Sequence, residues 1–89
     1  MDRLDAMSVF AAIADGGSLS AAGRRLGVPL TTISRKLADL EAHLKTRLIT
    51  RSTRKLELTD AGRAYLDACR QILEQVDEAE RAASGAYAA

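Results

Sequence analysis

The chain has 89 residues, enough for one small unit around a single core and too few for a core plus an enclosed substrate cavity. At 47% hydrophobic and 28% charged, its composition is that of a folded protein and excludes general disorder. The formal net charge of +1 conceals a segregation: residues 24–63 hold ten basic and four acidic side chains, a local +6, and the two flanks together hold −5. A basic middle between acidic ends points to a surface that faces a polyanion. Aromatic residues are limited to Phe10, Tyr65 and Tyr87, so the core is aliphatic, which favours helices. The single cysteine, Cys69, excludes an internal disulfide and fits a reducing cytoplasm. The opening MDRLDAMSVF lacks the basic-then-apolar layout of a secretory signal, and no apolar run approaches the ~20 residues that span a bilayer. A soluble cytoplasmic protein without membrane contact is the expectation.

Residues 4–14 read as a short amphipathic helix, with Leu4, Met7, Phe10, Ala11 and Ala14 at helical spacing. Asp15-Gly16-Gly17 ends it, and Ser18 is placed to cap the next helix, residues 19–26. That helix carries Gly23 in its interior, where glycine costs about 1 kcal/mol relative to alanine. Close approach of the following helix would account for it; the alternative is a tolerated surface glycine. Gly27 closes the helix, and Pro29 suits the first turn of the next one because its missing N–H would be unpaired there.

Ile33, Leu37, Leu40 and Leu44 then define a buried stripe that runs to about Lys45. At 100° per residue, Thr31 and Arg35 fall opposite that stripe, with Thr32 and Ser34 on its shoulders. Ala22, Leu26, Val28, Ile33 and Leu37 form the seam between the two helices. This is the layout of a helix-turn-helix, which presents its second helix, about residues 30–44, to the major groove of DNA.

From residue 47 to 59 the period changes. Residues 48–50 and 56–58 read as two short strands around a basic, hydroxyl-rich tip, residues 51–55, whose turn type the sequence leaves open. Thr59 caps a long final helix, with Asp60 against its positive end, running to about residue 83. Along it Tyr65, Cys69, Ile72, Val76, Ala79 and Ala83 alternate spacings of four and three, a coiled-coil seam widened by Leu66 and Leu73. A helix of this length cannot bury its distal seam on so small a domain, so a partner copy is expected; packing within one chain remains the alternative for residues 61–69.

The fold expected is mainly α: a winged helix-turn-helix of three helices and a two-stranded wing over residues 1–58, followed by a long dimerisation or linker helix over 59–84. Residues 85–89 read as the start of a linker. Chemistry of an enzyme is not visible. His43 is the sole histidine, no second metal ligand or nucleophile–base pair accompanies it or Cys69, and Asp39 and Glu41 are two apart and do not share a helix face. Asp77, Glu78 and Glu80 read as a solvated face. No cofactor or metal is called for.

Met7-Ser8-Val9-Phe10, Gly17-Ser18-Leu19-Ser20-Ala21-Ala22, Leu26-Gly27-Val28, Ile33-Ser34-Arg35, Leu40-Glu41, Leu48-Ile49-Thr50-Arg51 and Leu58-Thr59-Asp60-Ala61-Gly62 occur in that order. Together they resemble the amino-terminal domain of LysR-type transcriptional regulators across nearly the whole chain. The resemblance departs at Gly23, where the family commonly has alanine. It departs again at Pro29-Leu30, where many members have Ser-Gln, so Leu30 would replace a glutamine contact by an apolar one. LysR-type proteins are also much longer, with an effector-binding domain after the linker helix, so the chain reads as the DNA-binding part of a longer regulator.

The resemblance implies sequence-specific binding of double-stranded DNA. Leu30, Thr31, Thr32, Ser34 and Arg35 are the expected major-groove residues, Arg35 through a fork that pairs with guanine O6 and N7. Ser18, Ser20, Lys36, Arg51 and Thr53 are expected at phosphates. Arg54 at the wing tip would enter the minor groove, as the wing does in the family, while Lys55 reads as a solvated charge. Two copies joined through the seam of the long helix would read an interrupted palindrome, with a tetramer possible in a full-length protein and a small-molecule effector bound only by a domain not present here. The rival reading is a winged-helix interaction module that dimerises and docks a protein, its basic patch serving solubility.

Overall fold

Asp2 opens the first helix, its carboxylate accepting the backbone N–H of Asp5 at 3.1 Å. The computed structural model describes residues 1–51 and 55–85. Their order is α1 (Arg3–Gly16), α2 (Leu19–Leu26), α3 (Leu30–Leu44), β1 (Ile49–Arg51), β2 (Leu56–Leu58) and α4 (Asp60–Gly85). The expected mainly α winged helix-turn-helix with a long last helix is the architecture observed.

Helix α1 is the central element, packed against α2, α3 and α4. Its buried residues are Ala6, Met7, Val9, Phe10, Ala12 and Ile13, a wider face than the expected stripe. A helix with three neighbours needs apolar residues on most of its circumference. Leu4, expected in that stripe, lies beyond the neighbours' reach and is exposed. Phe10, Ile13, Ile33, Leu40, Leu48 and Cys69 are fully buried, so α1, α3, the approach to the wing and α4 share one core.

The turn between α2 and α3 is tight for two reasons. Gly27 takes the left-handed conformation at φ 70°, with its N–H bonded to the Gly23 carbonyl. A methyl group at Gly23 would lie 2.9 Å from the Val28 carbonyl oxygen, so close backbone approach, not tolerance, explains that glycine. Ser18 caps α2 by accepting the Ala21 N–H at 3.0 Å. Pro29 stands one place earlier than expected: extended (ψ 151°), it precedes the first helical residue, and its carbonyl accepts from Thr32 and Ile33. The α2–α3 seam keeps Ala22, Ile33 and Leu37 buried and Val28 half-buried, whereas Leu26 is exposed because the turn carries it past the edge of α3.

Helix α3 ends on Lys45 in the left-handed region, where its N–H and that of Thr46 return to the Ala42 and Glu41 carbonyls. The chain then enters the wing, β1 and β2 antiparallel with Ile49 opposite Leu58 and Arg51 opposite Leu56, one residue later in β1 than the sequence suggested. The Glu41 carboxylate holds this passage, accepting the N–H groups of Leu48 at 2.7 Å and Ile49 at 3.2 Å. Thr59 locks the return: its N–H donates to the Leu48 carbonyl, and its hydroxyl donates to the Arg47 carbonyl and caps Gly62. At Gly62 an added Cβ would stand 2.1 Å from the Leu48 oxygen, so α4 starts in direct contact with the wing backbone.

On α4, Gly62, Leu66 and Cys69 are buried and Leu73 packs partly on the core, while residues 77–85 are exposed on every face. Tyr65 leans its ring on Phe10, centroids 5.7 Å apart and tilted by 50°. Asp15 ties the end of α1 to α4 through Arg70 at 2.7 Å and, more loosely, to α2 through Arg25 at 3.8 Å. No helix among the described residues is long and apolar enough to cross a membrane.

Two measurements test this packing. Gly62→Ala should lower stability in urea unfolding by about 3 kcal/mol, since the opposing atom is backbone and cannot step aside. Gly85→Ala, with open space around it, should change stability by no more than about 0.5 kcal/mol. The second test is pH. Burial pushes the Cys69 thiol up, partly opposed by the Tyr65 hydroxyl; burial also pushes Tyr65 up, reinforced by Cys69. Both hold their protons more tightly folded than unfolded, so their contribution is complete below the unfolded thiol value of about 8.5 and declines as pH rises above it. Urea midpoints should fall between pH 8 and pH 10, and Cys69→Ala should flatten that fall.

Candidate nucleic-acid interface

Helix α3 shows four distinct faces. Ile33, Leu37 and Leu40 are buried. About 80° to one side of Ile33, Glu41 reaches the wing; about 60° to the other, Lys36 reaches back to α1. Opposite the core lie Thr31, Arg35, Ala38 and Ala42, all exposed. Arg35 forms no hydrogen bond or ion pair among the described residues, so its guanidinium fork is available on the outermost face. Leu30 is 50% exposed at the start of the helix, and Thr32 and Ser34 are half-buried on the shoulders.

Beside this face lies a recess of about 320 Å³ between the start of α2, the start of α3 and the wing. Ser18, Ser20, Leu30, Arg51, Lys55 and Leu56 are among its walls, so three of the residues expected at phosphates converge with one expected at bases. Ser18 already accepts the Ala21 N–H, which leaves its hydroxyl proton free to donate outward. Ser20 and Arg51 are exposed. The positive end of the α2 dipole opens into the same recess and adds to its preference for anions.

Other expected positions fall differently. Lys36 is not a free cation: its ammonium is paired with the Asp5 carboxylate of α1. Thr53 and Arg54 lie outside the described residues. Cys69, expected in a seam between two copies, is wholly buried inside its own chain. At 100° per residue it falls about 60° from Leu66 and about 20° from Gly62, on the core stripe, and α1 covers that stripe. Tyr65 is shared, half-buried against Phe10 and open on its other side. Ile72, Val76, Ala79 and Ala83 form a second stripe about 80° round the helix from the core stripe. Ile72 is 39% exposed, Val76 is half-buried, and Ala79 and Ala83 are exposed.

Sequence reasoning passed over three residues that the fold uses. Lys55, taken as a solvated charge, lines the recess. Glu41 anchors the passage to the wing; a carboxylate on the flank of an otherwise apolar stripe, seven residues before a strand, was the available signal. Asp2 caps α1, signalled by an acidic residue three places before Asp5.

The arrangement has known counterparts. A family model described as "Bacterial regulatory helix-turn-helix protein, lysR family" matches residues 4–63. An HTH-type transcriptional repressor of Pseudomonas aeruginosa (strain UCBPP-PA14) is 44% identical over 88 residues, 99% of this chain and 28% of the relative. The HTH-type transcriptional activator AaeR of Escherichia coli (strain K12) is 44% identical over 78 residues, 88% of this chain and 25% of the relative. The crystal structure of the CbnR DNA-binding domain in complex with DNA superposes with a TM-score of 0.87 at 37% identity, covering 97% of this chain and 98% of that one. The chain thus spans about a quarter of the length of these two relatives. The matched family is one of regulators and not of enzymes, and the match takes in α1, the helix-turn-helix, the wing and the first turn of α4. The chain belongs to the lysR family of bacterial regulatory helix-turn-helix proteins.

Proposed function

We propose that this chain is a sequence-specific reader of double-stranded DNA within a bacterial transcriptional regulator acting in the cytoplasm. Helix α3 enters the major groove, where Arg35 pairs with a guanine, Thr31, Thr32 and Ser34 allow close approach to base edges, and Leu30 meets a thymine methyl. Ser18, Ser20 and Arg51 hold phosphates on the wing side, with Lys55 beside them and Thr53 a further candidate. Arg54 is assigned to the minor groove, reading its width at A·T-rich sequence. The observation that carries this reading is the outer face of α3, with its partner-free Arg35, standing beside a recess walled by hydroxyls, Arg51 and Lys55.

Two copies are assigned to one binding site, joined through Ile72, Val76, Ala79 and Ala83 and the open side of Tyr65. Support comes from α4 itself: its last nine residues are exposed and take no part in the core, and its second apolar stripe is exposed except at half-buried Val76. An isolated helix end of this length is marginal in water, so a partner stripe would stabilise it. Effector binding and assembly beyond the dimer would belong to the greater length that the relatives have.

In-vitro selection from a random duplex library should enrich two half-sites in inverted repeat with a fixed spacing; recovery of no common sequence would sink the reading. Arg35→Ala should cost tenfold to hundredfold in discrimination at one base position, about 1–3 kcal/mol. Arg54→Ala should weaken binding chiefly to sites with A·T-rich flanks. For the assembly, sedimentation should show the chain as a dimer and Ile72→Lys as a folded monomer, and a variant that stays dimeric would remove Ile72 from the interface.

A further inference from the structure

Lys36 stands where a phosphate contact is expected, and the fold has given it another anion. An α-helix with its side chains is about 10–12 Å across and the major groove about 12 Å wide, so a helix lying in that groove brings both flanks against the phosphate walls. On α3 one flank faces the wing. The other carries Thr32, Lys36, Asp39 and His43. Of these, Lys36 is the cation with the reach to meet a phosphate oxygen, and its ammonium is bound to the Asp5 carboxylate, in the first turn of α1. Asp2 and Asp39 line the same recess as Lys36 and Asp5. The flank therefore presents a neutralised lysine within an acidic border, while the wing side presents Arg51, which has no such partner among the described residues.

We infer that Asp5 is a specificity-determining residue: by occupying Lys36 it removes one phosphate contact from the recognition helix, and so holds down binding that does not depend on sequence. The inference rests on the DNA-binding reading above. A phosphate contact adds affinity for every duplex alike, whereas Arg35 and its neighbours add it only for the matching one. Withholding a non-selective contact on the α1 flank raises the ratio between the two without touching a base. The pair suits this role because it is solvent-accessible, its side chains 38% and 44% exposed, so it contributes little to stability and its loss leaves the fold intact.

The test is a salt titration of binding to a duplex of random sequence, using the chain as it stands, Asp5→Asn, Lys36→Ala and the double variant, each checked for an unchanged thermal melt. Release of Lys36 onto a phosphate should steepen the slope of log K against log salt by about 0.9 for Asp5→Asn and raise affinity roughly fivefold to tenfold at 0.1 M salt. Lys36→Ala should keep the parent slope, and the double variant should return to it. The preference for a selected operator over random duplex should fall in Asp5→Asn. An Asp5→Asn slope equal to the parent's, or a parent slope that drops by about one in Lys36→Ala, would overturn the inference. A parent that binds no duplex at all would instead overturn the DNA-binding reading.

Discussion

Leu48 is the point on which the rest of the molecule depends. Its side chain is buried in the core, its N–H is held by the Glu41 carboxylate of α3, and its carbonyl receives the Thr59 N–H and lies against Gly62 of α4. One residue thus joins α3, the wing and the long helix. A two-stranded hairpin as short as β1–β2 has no stability of its own. It has a defined position because its first strand is pinned to α3 by two N–H groups on one carboxylate and its second strand leads straight into a capped helix. Removing any one of these contacts leaves a backbone donor or acceptor without its partner in a part-buried place, where an unmade hydrogen bond is costly.

The same economy of contacts appears in α4, which serves two purposes with two stripes. The stripe through Gly62, Leu66 and Cys69 belongs to the core of its own chain, and the stripe through Ile72, Val76, Ala79 and Ala83 is turned away from it. Tyr65 sits at their boundary, and its contact with Phe10 fixes the roll of the helix about its axis. Asp15, bridging to Arg70, fixes it a second time one turn further on. Any assembly made through the second stripe therefore inherits a set angle to α3, which is what a fixed spacing between two half-sites requires.

Much of this was legible in the sequence, for identifiable reasons. The order of elements follows from hydrophobic period and from punctuation that has a local cause: Ser18, Gly27 and Thr59 act at the boundaries assigned to them. The exposed Thr31–Arg35 face follows from the 100° step alone. What sequence could not supply was burial set by partners distant in the chain. Leu4 and Leu26 have the hydrophobicity of core residues and lie outside it, because no element passes over them. Cys69 fits a heptad seam as well as it fits a core stripe, and only the position of α1 decides between the two. Lys36 has the charge and the placement of a phosphate ligand, and the decisive residue is 31 positions away.

Residues 24–63 carry a net +6, yet several of their cations are neutralised from within the chain. Lys36 is held by Asp5, Lys55 by Glu57, Arg63 by Asp60 and the Leu58 carbonyl, and Arg25 by Asp15, which lies outside the segment. Arg24, Arg35, Lys45 and Arg51 have no such partner among the described residues. Positive charge without an internal partner thus stands on the outer face of α3 at Arg35 and on the wing at Arg51, and charge is subdued on the flank toward α1. Helix α3 is held on the wing flank by Glu41 and underneath by Ile33, Leu37 and Leu40. With those two faces committed, the outer face is presented in one orientation before any ligand arrives, and little ordering entropy of the helix remains to be lost on binding.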